Sequence, residues 1–171
     1  MIQVGRQSAS AYLNFDPEQS EFTYMKQVDF YLINNQIANA KFKLASRLAN
    51  KLQRSGKYAL VVTEDESTAK LLDQTMWTYN DASFLAHDDL TEKTPSSRIH
   101  IGAHNTVSQA VIERNYDVLI NLASDIPMFN HHFERIAEIV EADESSKAAG
   151  RTRFKSYKNE GFELKMHKIE L

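Results

Sequence analysis

Short apolar runs alternate along this chain with longer segments in which apolar residues recur every three or four positions. The first pair is the run at residues 28–33 (VDFYLI) and a helical pattern over residues 36–55, which Gly56 ends. The second pair is the run at residues 57–63 (KYALVVT) and a helix that the acidic residues 64–66 open. Continuous apolar runs are typical of strands buried on both faces, so each pair predicts a strand and the helix that covers it.

The same patterns continue to the end of the chain. Further helices are predicted at residues 107–114 and 145–160, with a helical turn after Pro127. Residues 134–140 fit a strand or a helix by pattern alone, and we assign them to a strand. The strands predicted in this part are residues 82–86, 98–102, 117–122, 134–140 and 162–169. Alternating strands and helices predict an α/β fold, a three-layer α/β/α domain with a Rossmann-like, mostly parallel or mixed sheet of about seven strands.

Residues 1–24 differ from the rest of the chain, since they are polar and weakly periodic, with Pro17 among them. We expect an N-terminal extension of unknown role, or a start set too early relative to Met25. Residues 25–171 are then predicted to form a single domain, which suits a chain of 171 residues.

Composition narrows the classes of function. The net charge of −3 argues against a protein whose main role is to coat nucleic acid. The sequence contains no cysteine, which excludes disulfides and thiolate metal sites and favours a cytoplasmic protein. No apolar run reaches the roughly 18 residues of a membrane span, and the N-terminus lacks a secretory pattern.

The turns that follow the predicted strands do not favour nucleotide binding. Asn34 and its neighbours include no glycine, and the acids at 64–66 would repel a phosphate. The Ser-Gly-Lys sequence at 55–57 precedes a strand, whereas a phosphate-binding loop follows one. The sequence therefore predicts no nucleotide-binding loop.

Clusters of titratable residues give no specific motif either. His100 with His104, and His131 with His132, have spacings that separate the side chains in the predicted strand and turn. The acids at 64–66 could form a general acid and base or a magnesium site, but the first turn of a helix also explains them. No catalytic residue, no metal and no cofactor are predicted.

The helix at residues 145–160 is basic within an otherwise acidic chain. Helical spacing places five of its residues on one face: Lys147, Arg151, Phe154, Lys155 and Lys158. Such a face is either ordinary solvated surface or a site for an acidic partner with an apolar group to bury. Nucleic acid and an acidic peptide both have that chemistry.

Trp77 is the only tryptophan, and it lies near the predicted end of a helix with Phe84 close behind it in sequence. Grouped aromatic residues belong either to a core or to a protein interface. The sequence leaves both explanations open.

Five stretches together resemble the chi subunits of bacterial DNA polymerase III, which are accessory proteins of the clamp loader. They occur in the family's order, cover nearly all of residues 25–169, and read VDFYLI, RSGKYALVVTEDE, LDQTMWTYNDASFLAH, YDVLINL and FERIAEIVEADESSKAAGRTRFKSYKNEGFEL. The resemblance implies a Rossmann-like fold without nucleotide binding and without enzymatic activity. It also implies two partners, the psi subunit of the clamp loader and the acidic C-terminal tail of single-stranded-DNA-binding protein, so that DNA is reached only indirectly.

The resemblance assigns roles to particular residues. The tail-binding positions of the family fall on Lys147, Arg151, Phe154 and Lys155. Its partner surface falls on Trp77 and Phe84, where the partner is psi or, alternatively, a helicase of the iron-sulfur type. Phe154 stands where a tyrosine is expected, and Ala86 where a proline is common. The competing hypothesis is a direct single-stranded nucleic-acid binder, or a nucleic-acid-processing enzyme, that uses the same basic helix.

Overall fold

A computed structural model describes residues 25–78, 84–92 and 95–171 of the chain. Within these residues one open sheet has seven strands, and every paired strand is parallel to its neighbour. The strands are β1 (Gln27–Ile33), β2 (Ala59–Thr63), β3 (Asp88–Asp89), β4 (Ile99–Ala103), β5 (Val118–Asn121), β6 (Arg135–Val140) and β7 (Glu163–Ile169). Their order across the sheet is β3-β4-β2-β5-β6-β1-β7. The predicted α/β fold with a sheet of about seven strands is confirmed.

Helices cover both faces of the sheet: α1 (Ala40–Arg54), α2 (Glu66–Thr78), α3 (Gln109–Ile112) and α4 (Glu144–Asn159). Helices α1 and α2 pack on one face through residues such as Ala45 and Leu72. Helices α3 and α4 pack on the other face through Val111 and Tyr157. Successive residues of a strand point to opposite faces, so Val61 belongs to the first core and Leu60 to the second.

Several predicted elements are confirmed with small changes at their ends. Residues 135–140 form β6, as assigned from an ambiguous pattern, and β7 is the half-exposed edge strand that alternation predicts. Helix α1 starts at Ala40, whereas the pattern placed its start at residue 36, because Asn39 adopts a left-handed conformation with φ of 58°. Helix α3 is only four residues long, shorter than the predicted 107–114.

The prediction of a strand at residues 82–86 is wrong for the part that the structure describes. Residues 84–86 are irregular, and the edge strand β3 consists of Asp88 and Asp89 instead. Leu85 explains the apolar signal, since its side chain is buried in the core without strand pairing. Residues 82 and 83, like the proposed extension at 1–24, lie outside the described residues.

Helix α2 accounts for the acidic residues at 64–66. The Asp65 carboxylate accepts hydrogen bonds from the Thr68 amide and the Ser67 hydroxyl, each at 2.7 Å, and so caps the first turn. These bonds lower the pKa of Asp65 to about 2. Glu64 accepts a bond from the amide of Ser124 at 2.7 Å. Of the helices in the described part of the chain, none is long and apolar enough to cross a membrane.

Candidate functional site

An open cavity of about 430 Å³ lies between helix α4 and the C-terminal ends of β1 and β6. All four residues predicted to bind an acidic tail line this one cavity. Lys158, the fifth residue of the predicted basic face, lies further along the helix and does not line it. The full lining is Phe30, Leu32, Ile33, Asn34, Val140, Glu141, Lys147, Gly150, Arg151, Phe154, Lys155 and Met166.

The position of α4 follows from its first residues and from one glycine. Asp143 caps the helix by accepting a bond from the Ser146 amide at 2.9 Å, and the Ser146 hydroxyl donates to the amide of Glu141 at 2.8 Å. Gly150 faces β6, where an added Cβ would come within 2.8 Å of the Val140 Cγ2 atom. The missing side chain therefore lets the helix lie close to the sheet beside the cavity.

The floor of the cavity is apolar and partly aromatic. The ring of Phe154 is half-buried and lies 5.3 Å from the ring of Phe30, at an interplanar angle of 55°. Leu32 extends this surface along β1, and Met166 of β7 is 61% exposed beside it. An apolar group of a ligand that binds here would cover the exposed side chain of Met166, so that the apolar surface of both is removed from water.

The rim of the cavity carries positive charge. Arg151 and Lys155 are exposed, and no carboxylate of the described residues lies within 4.0 Å of either cation. Lys147 pairs with Glu144 across one turn at 3.2 Å, a contact with a largely exposed partner that a ligand can replace. The only acid in the lining, Glu141, has a 3.7 Å contact with Lys41. The site therefore combines an apolar floor with a positively charged rim.

Beneath this surface, α4 is joined to the sheet by a buried polar network that the sequence patterns did not indicate. The Glu138 carboxylate of β6 accepts bonds from Arg153 Nε at 2.8 Å, the Tyr157 hydroxyl at 2.8 Å and the Asn121 amide at 3.0 Å. Arg153 also donates to the Ser124 carbonyl at 2.7 Å. The sequence signal for this network was Glu138, an acid within the apolar run at residues 134–140. A carboxylate buried in a strand requires a partner that compensates its charge.

Burial raises the pKa of the Glu138 carboxyl, and the positive charge of Arg153 opposes that rise. Burial and the adjacent Glu138 carboxylate raise the pKa of Tyr157, so its hydroxyl keeps its proton and donates it. Glu138 and Arg153 are both almost inaccessible to water. This network holds the helix in place and is unavailable to a ligand.

Trp77 and Phe84 form a second exposed surface on the α2 side of the sheet, opposite the face that α4 covers. Their rings lie 5.3 Å apart, and the side chains are 52% and 70% exposed. His87 lies beneath them, with its ring 4.8 Å from Trp77 and its Nε2 atom 3.0 Å from Asp73. Neither aromatic residue belongs to the core. Their role at a protein interface stays a prediction.

The histidines considered as metal ligands have other contacts. The Nδ1 atom of His100 lies 2.5 Å from the Tyr116 hydroxyl, and its Nε2 atom lies 3.2 Å from the Ser97 carbonyl. The ring centres of His131 and His132 lie 4.2 Å apart on an exposed turn, at an interplanar angle of 39°. No group of three or more potential ligands occurs in the described part of the chain.

Comparison with known proteins identifies related sequences. A family model described as DNA polymerase III chi subunit, HolC, matches residues 25–165. The DNA polymerase III subunit chi of Pseudomonas aeruginosa is 30% identical over 145 residues, which is 85% of this chain and 98% of the relative. The Haemophilus influenzae protein of the same name is 29% identical over 84% of this chain and 98% of its own length. The Escherichia coli protein is 30% identical over 82% of this chain and 96% of its own length.

A solved structure shares the fold at much lower sequence identity. The crystal structure of T4 UvsW matches with a TM-score of 0.63 and 11% identity, covering 86% of this chain. The match spans 42% of that longer chain, so it shows a common arrangement of strands and helices and nothing more.

Proposed function

Because the chain belongs to the family of DNA polymerase III chi subunits, a replication accessory family, we propose that it is non-catalytic and links the clamp loader to single-stranded-DNA-binding protein. On this proposal the α4 cavity binds the acidic C-terminal tail of that protein, and the Trp77 and Phe84 surface binds psi. An iron-sulfur helicase is the alternative partner for the second surface. Residues 25–171 form the functional domain on the same proposal.

One observation supports the tail-binding role above the others. Four residues that the resemblance assigned to tail binding line the same cavity, with an apolar floor and a positive rim. A terminal aromatic side chain fits the floor, and the carboxylates of an acidic tail fit the rim. A phosphate backbone would use the rim but would leave the apolar floor exposed.

The proposed roles follow from where each side chain lies. Arg151 binds the terminal carboxylate, because its planar guanidinium matches a carboxylate in two-bond geometry. Phe154 forms one wall for the terminal aromatic ring. Lys147 and Lys155 lie about two turns apart on α4, with Arg151 between them, and attract the acidic residues that precede the end of the tail.

Fluorescence polarisation with a labelled acidic peptide that ends in phenylalanine tests this site. Arg151→Ala is expected to weaken binding by about 1.5–3 kcal/mol, or about 10- to 150-fold, because a hydrogen-bonded charge pair is lost. Amidation of the peptide's C-terminus should weaken binding to the wild type similarly and have little further effect on the variant. Lys158→Ala, on the same helix but outside the cavity, should change affinity little.

A labelled single-stranded oligonucleotide in parallel titrations tests the competing hypothesis for α4. Affinity for the oligonucleotide that depends on Arg151, together with no affinity for the peptide, would refute the tail-binding proposal. A steep decrease in oligonucleotide affinity with salt would identify phosphate contacts in that case.

The second surface is tested by Phe84→Ala in the full-length chain. Because this ring is largely exposed, its removal should abolish co-purification with psi, or with the helicase, without affecting the fold. Peptide binding at α4 should persist, since α2 and α4 cover opposite faces of the sheet. Loss of both activities would indicate a folding defect and count against an interface role for Phe84.

A further inference from the structure

Helix α1 is the most positively charged element among the described residues. It contains five lysine or arginine residues and no acid. Lys43, Arg47 and Lys51 follow one another at intervals of four residues, and Arg54 comes three residues later, so the four lie on one face. All four are exposed, and at 1.5 Å per residue their row is about 16 Å long. We call these four residues the α1 basic stripe.

The α1 basic stripe forms no direct ion pair within the described residues, although Lys51 borders a cavity that also contains carboxylates such as Asp117. Lys41, on another side of α1, contacts Glu141, but no described carboxylate lies within 4.0 Å of the four stripe residues. Like charges three or four residues apart destabilise a helix. Since the whole chain carries a net charge of −3, the concentration of positive charge here does not follow from overall composition. The arrangement is unfavourable for the isolated fold and favourable for an anionic partner.

The surroundings of the stripe add neutral polar groups at one end. Lys43 and Arg47 line an open groove of about 430 Å³ together with Asn39, Thr75, Thr78 and Leu171. The Thr75 and Thr78 hydroxyls donate to the carbonyls of Leu71 and Gln74 within α2 at 2.8 and 3.0 Å. The side-chain amide of exposed Asn39 is therefore the neutral group here that can donate a hydrogen bond to a phosphate oxygen. No glutamate or aspartate lines this groove.

Beyond the other end of the stripe lies an exposed aromatic ring. Tyr58 is 40% exposed, and the guanidinium carbon of Arg98 lies 4.8 Å from the centre of its ring. Arg98 also donates to the Gly56 carbonyl at 3.0 Å, which places it next to the end of α1. An aromatic ring with an adjacent arginine is a surface on which a base of single-stranded nucleic acid can stack.

We propose that the α1 basic stripe binds the phosphate backbone of single-stranded nucleic acid. Successive cations of the stripe lie about 6 Å apart along the helix. This regular row of positive charges suits the regular row of phosphates along a nucleic-acid strand. The groove around Lys43 and Arg47 is polar and includes the Asn39 amide as a donor for phosphate, unlike the mainly apolar floor of the α4 cavity. A flexible single strand can follow the row and stack a base at Tyr58, whereas the bases of a duplex are already stacked.

This site differs from the one proposed for the acidic tail. Helices α1 and α4 cover opposite faces of the sheet, so the chain could contact the tail of its partner protein and the adjacent strand at once. The inference goes beyond the expectation that DNA is reached only indirectly. It does not depend on the tail-binding proposal, because the two helices share no charged residue.

The full-length chain should be titrated with a labelled oligothymidylate at several salt concentrations. With four phosphate contacts, the logarithm of the association constant should fall against the logarithm of salt with a slope of about −3. The double variant Lys43→Gln/Arg47→Gln should reduce the steepness of that slope by about 1.4, since each lost contact removes about 0.7. Far-UV circular dichroism checks that the helix is retained.

The matched control is Arg151→Gln/Lys155→Gln on α4, which also removes one lysine and one arginine. It should leave oligothymidylate binding near the wild-type value while it weakens binding of the acidic peptide, and the α1 double variant should do the reverse. Equal losses of oligothymidylate affinity in both double variants would overturn the assignment to α1. The assignment would also be overturned if the wild type did not bind oligothymidylate at low salt. Tighter binding to a duplex of the same length would overturn the preference for a single strand.

Discussion

Replacement of Arg153 by methionine tests whether the buried network fixes α4 on the sheet. Arg153→Met keeps most of the side-chain volume but removes the guanidinium that donates to Glu138 at 2.8 Å and to the Ser124 carbonyl at 2.7 Å. Breaking a buried ion pair from one side costs about 3–5 kcal/mol, because the remaining charge stays buried without compensation. Two lost bonds to charged groups, at about 1.5–3 kcal/mol each, give a similar magnitude.

The pH dependence distinguishes this cause from a simple packing defect. Burial already raises the pKa of Glu138, and without Arg153 only the Tyr157 hydroxyl and the Asn121 amide oppose that rise. A raised folded-state pKa means that stability is retained at low pH and lost as the pH rises through that pKa. The difference in unfolding free energy between variant and wild type should therefore be smaller at about pH 5 than at about pH 8.

Urea unfolding followed by far-UV circular dichroism measures these differences. Arg151→Met, two residues earlier on the same helix but exposed, should change the unfolding free energy by no more than about 0.5 kcal/mol. The double variant Glu138→Leu/Arg153→Met should recover much of the loss, since an apolar pair can replace a buried ion pair. A loss below about 1 kcal/mol for Arg153→Met, or a loss that does not change with pH, would refute the reasoning.

Three further predictions concern neighbouring features. Tyr157→Phe removes the hydroxyl that donates to Glu138 at 2.8 Å and should lower the unfolding free energy in urea by about 1.5–3 kcal/mol. Gly150→Ala places a Cβ 2.8 Å from Val140 Cγ2, so thermal melting should show a loss of about 1–3 kcal/mol and peptide titration a weaker α4 site. For Asp29, burial disfavours the charge, but hydrogen bonds from His167, Gln27 and Arg135 hold the pKa of the carboxyl below its ordinary value. The charged Asp29 carboxylate therefore stabilises the fold above about pH 4, and this contribution is lost in acid. The unfolding free energy of Asp29→Asn should accordingly decline less steeply in acid than that of the wild type. An unchanged acid profile would contradict this.

The fold and the exposed part of the candidate site could be predicted because both depend on regular periodicity. Apolar runs mark buried parallel strands directly, and a helical repeat of three to four residues placed Arg151, Phe154 and Lys155 on a common face. The two-residue strand β3 could not be predicted, because it is too short to produce a pattern. Leu85 nearby produced a strand-like signal from an irregular segment, since burial and strand pairing are separate properties.

Arg153 was missed for a related reason. It stands between two exposed basic residues, Arg151 and Lys155, and nothing in the local sequence separates a buried arginine from its solvated neighbours. Only the three-dimensional pairing with Glu138 reveals its role. The α1 basic stripe gives no distinct sequence signal either, because charged residues on the exposed side of an amphipathic helix are usually only solvated.

The position of β1 in the sheet has a consequence for the order of folding. Its partners, β6 and β7, both come from the last quarter of the chain, with Gln27 opposite Arg135 on one side and Glu163 on the other. Pairings between such distant segments slow folding, and strands that wait for partners are prone to aggregate. During synthesis β1 must therefore leave the ribosome well before the strands with which it pairs, β6 and β7. The α4 cavity, which takes Phe30 and Leu32 of its floor from β1, can form only at that late stage.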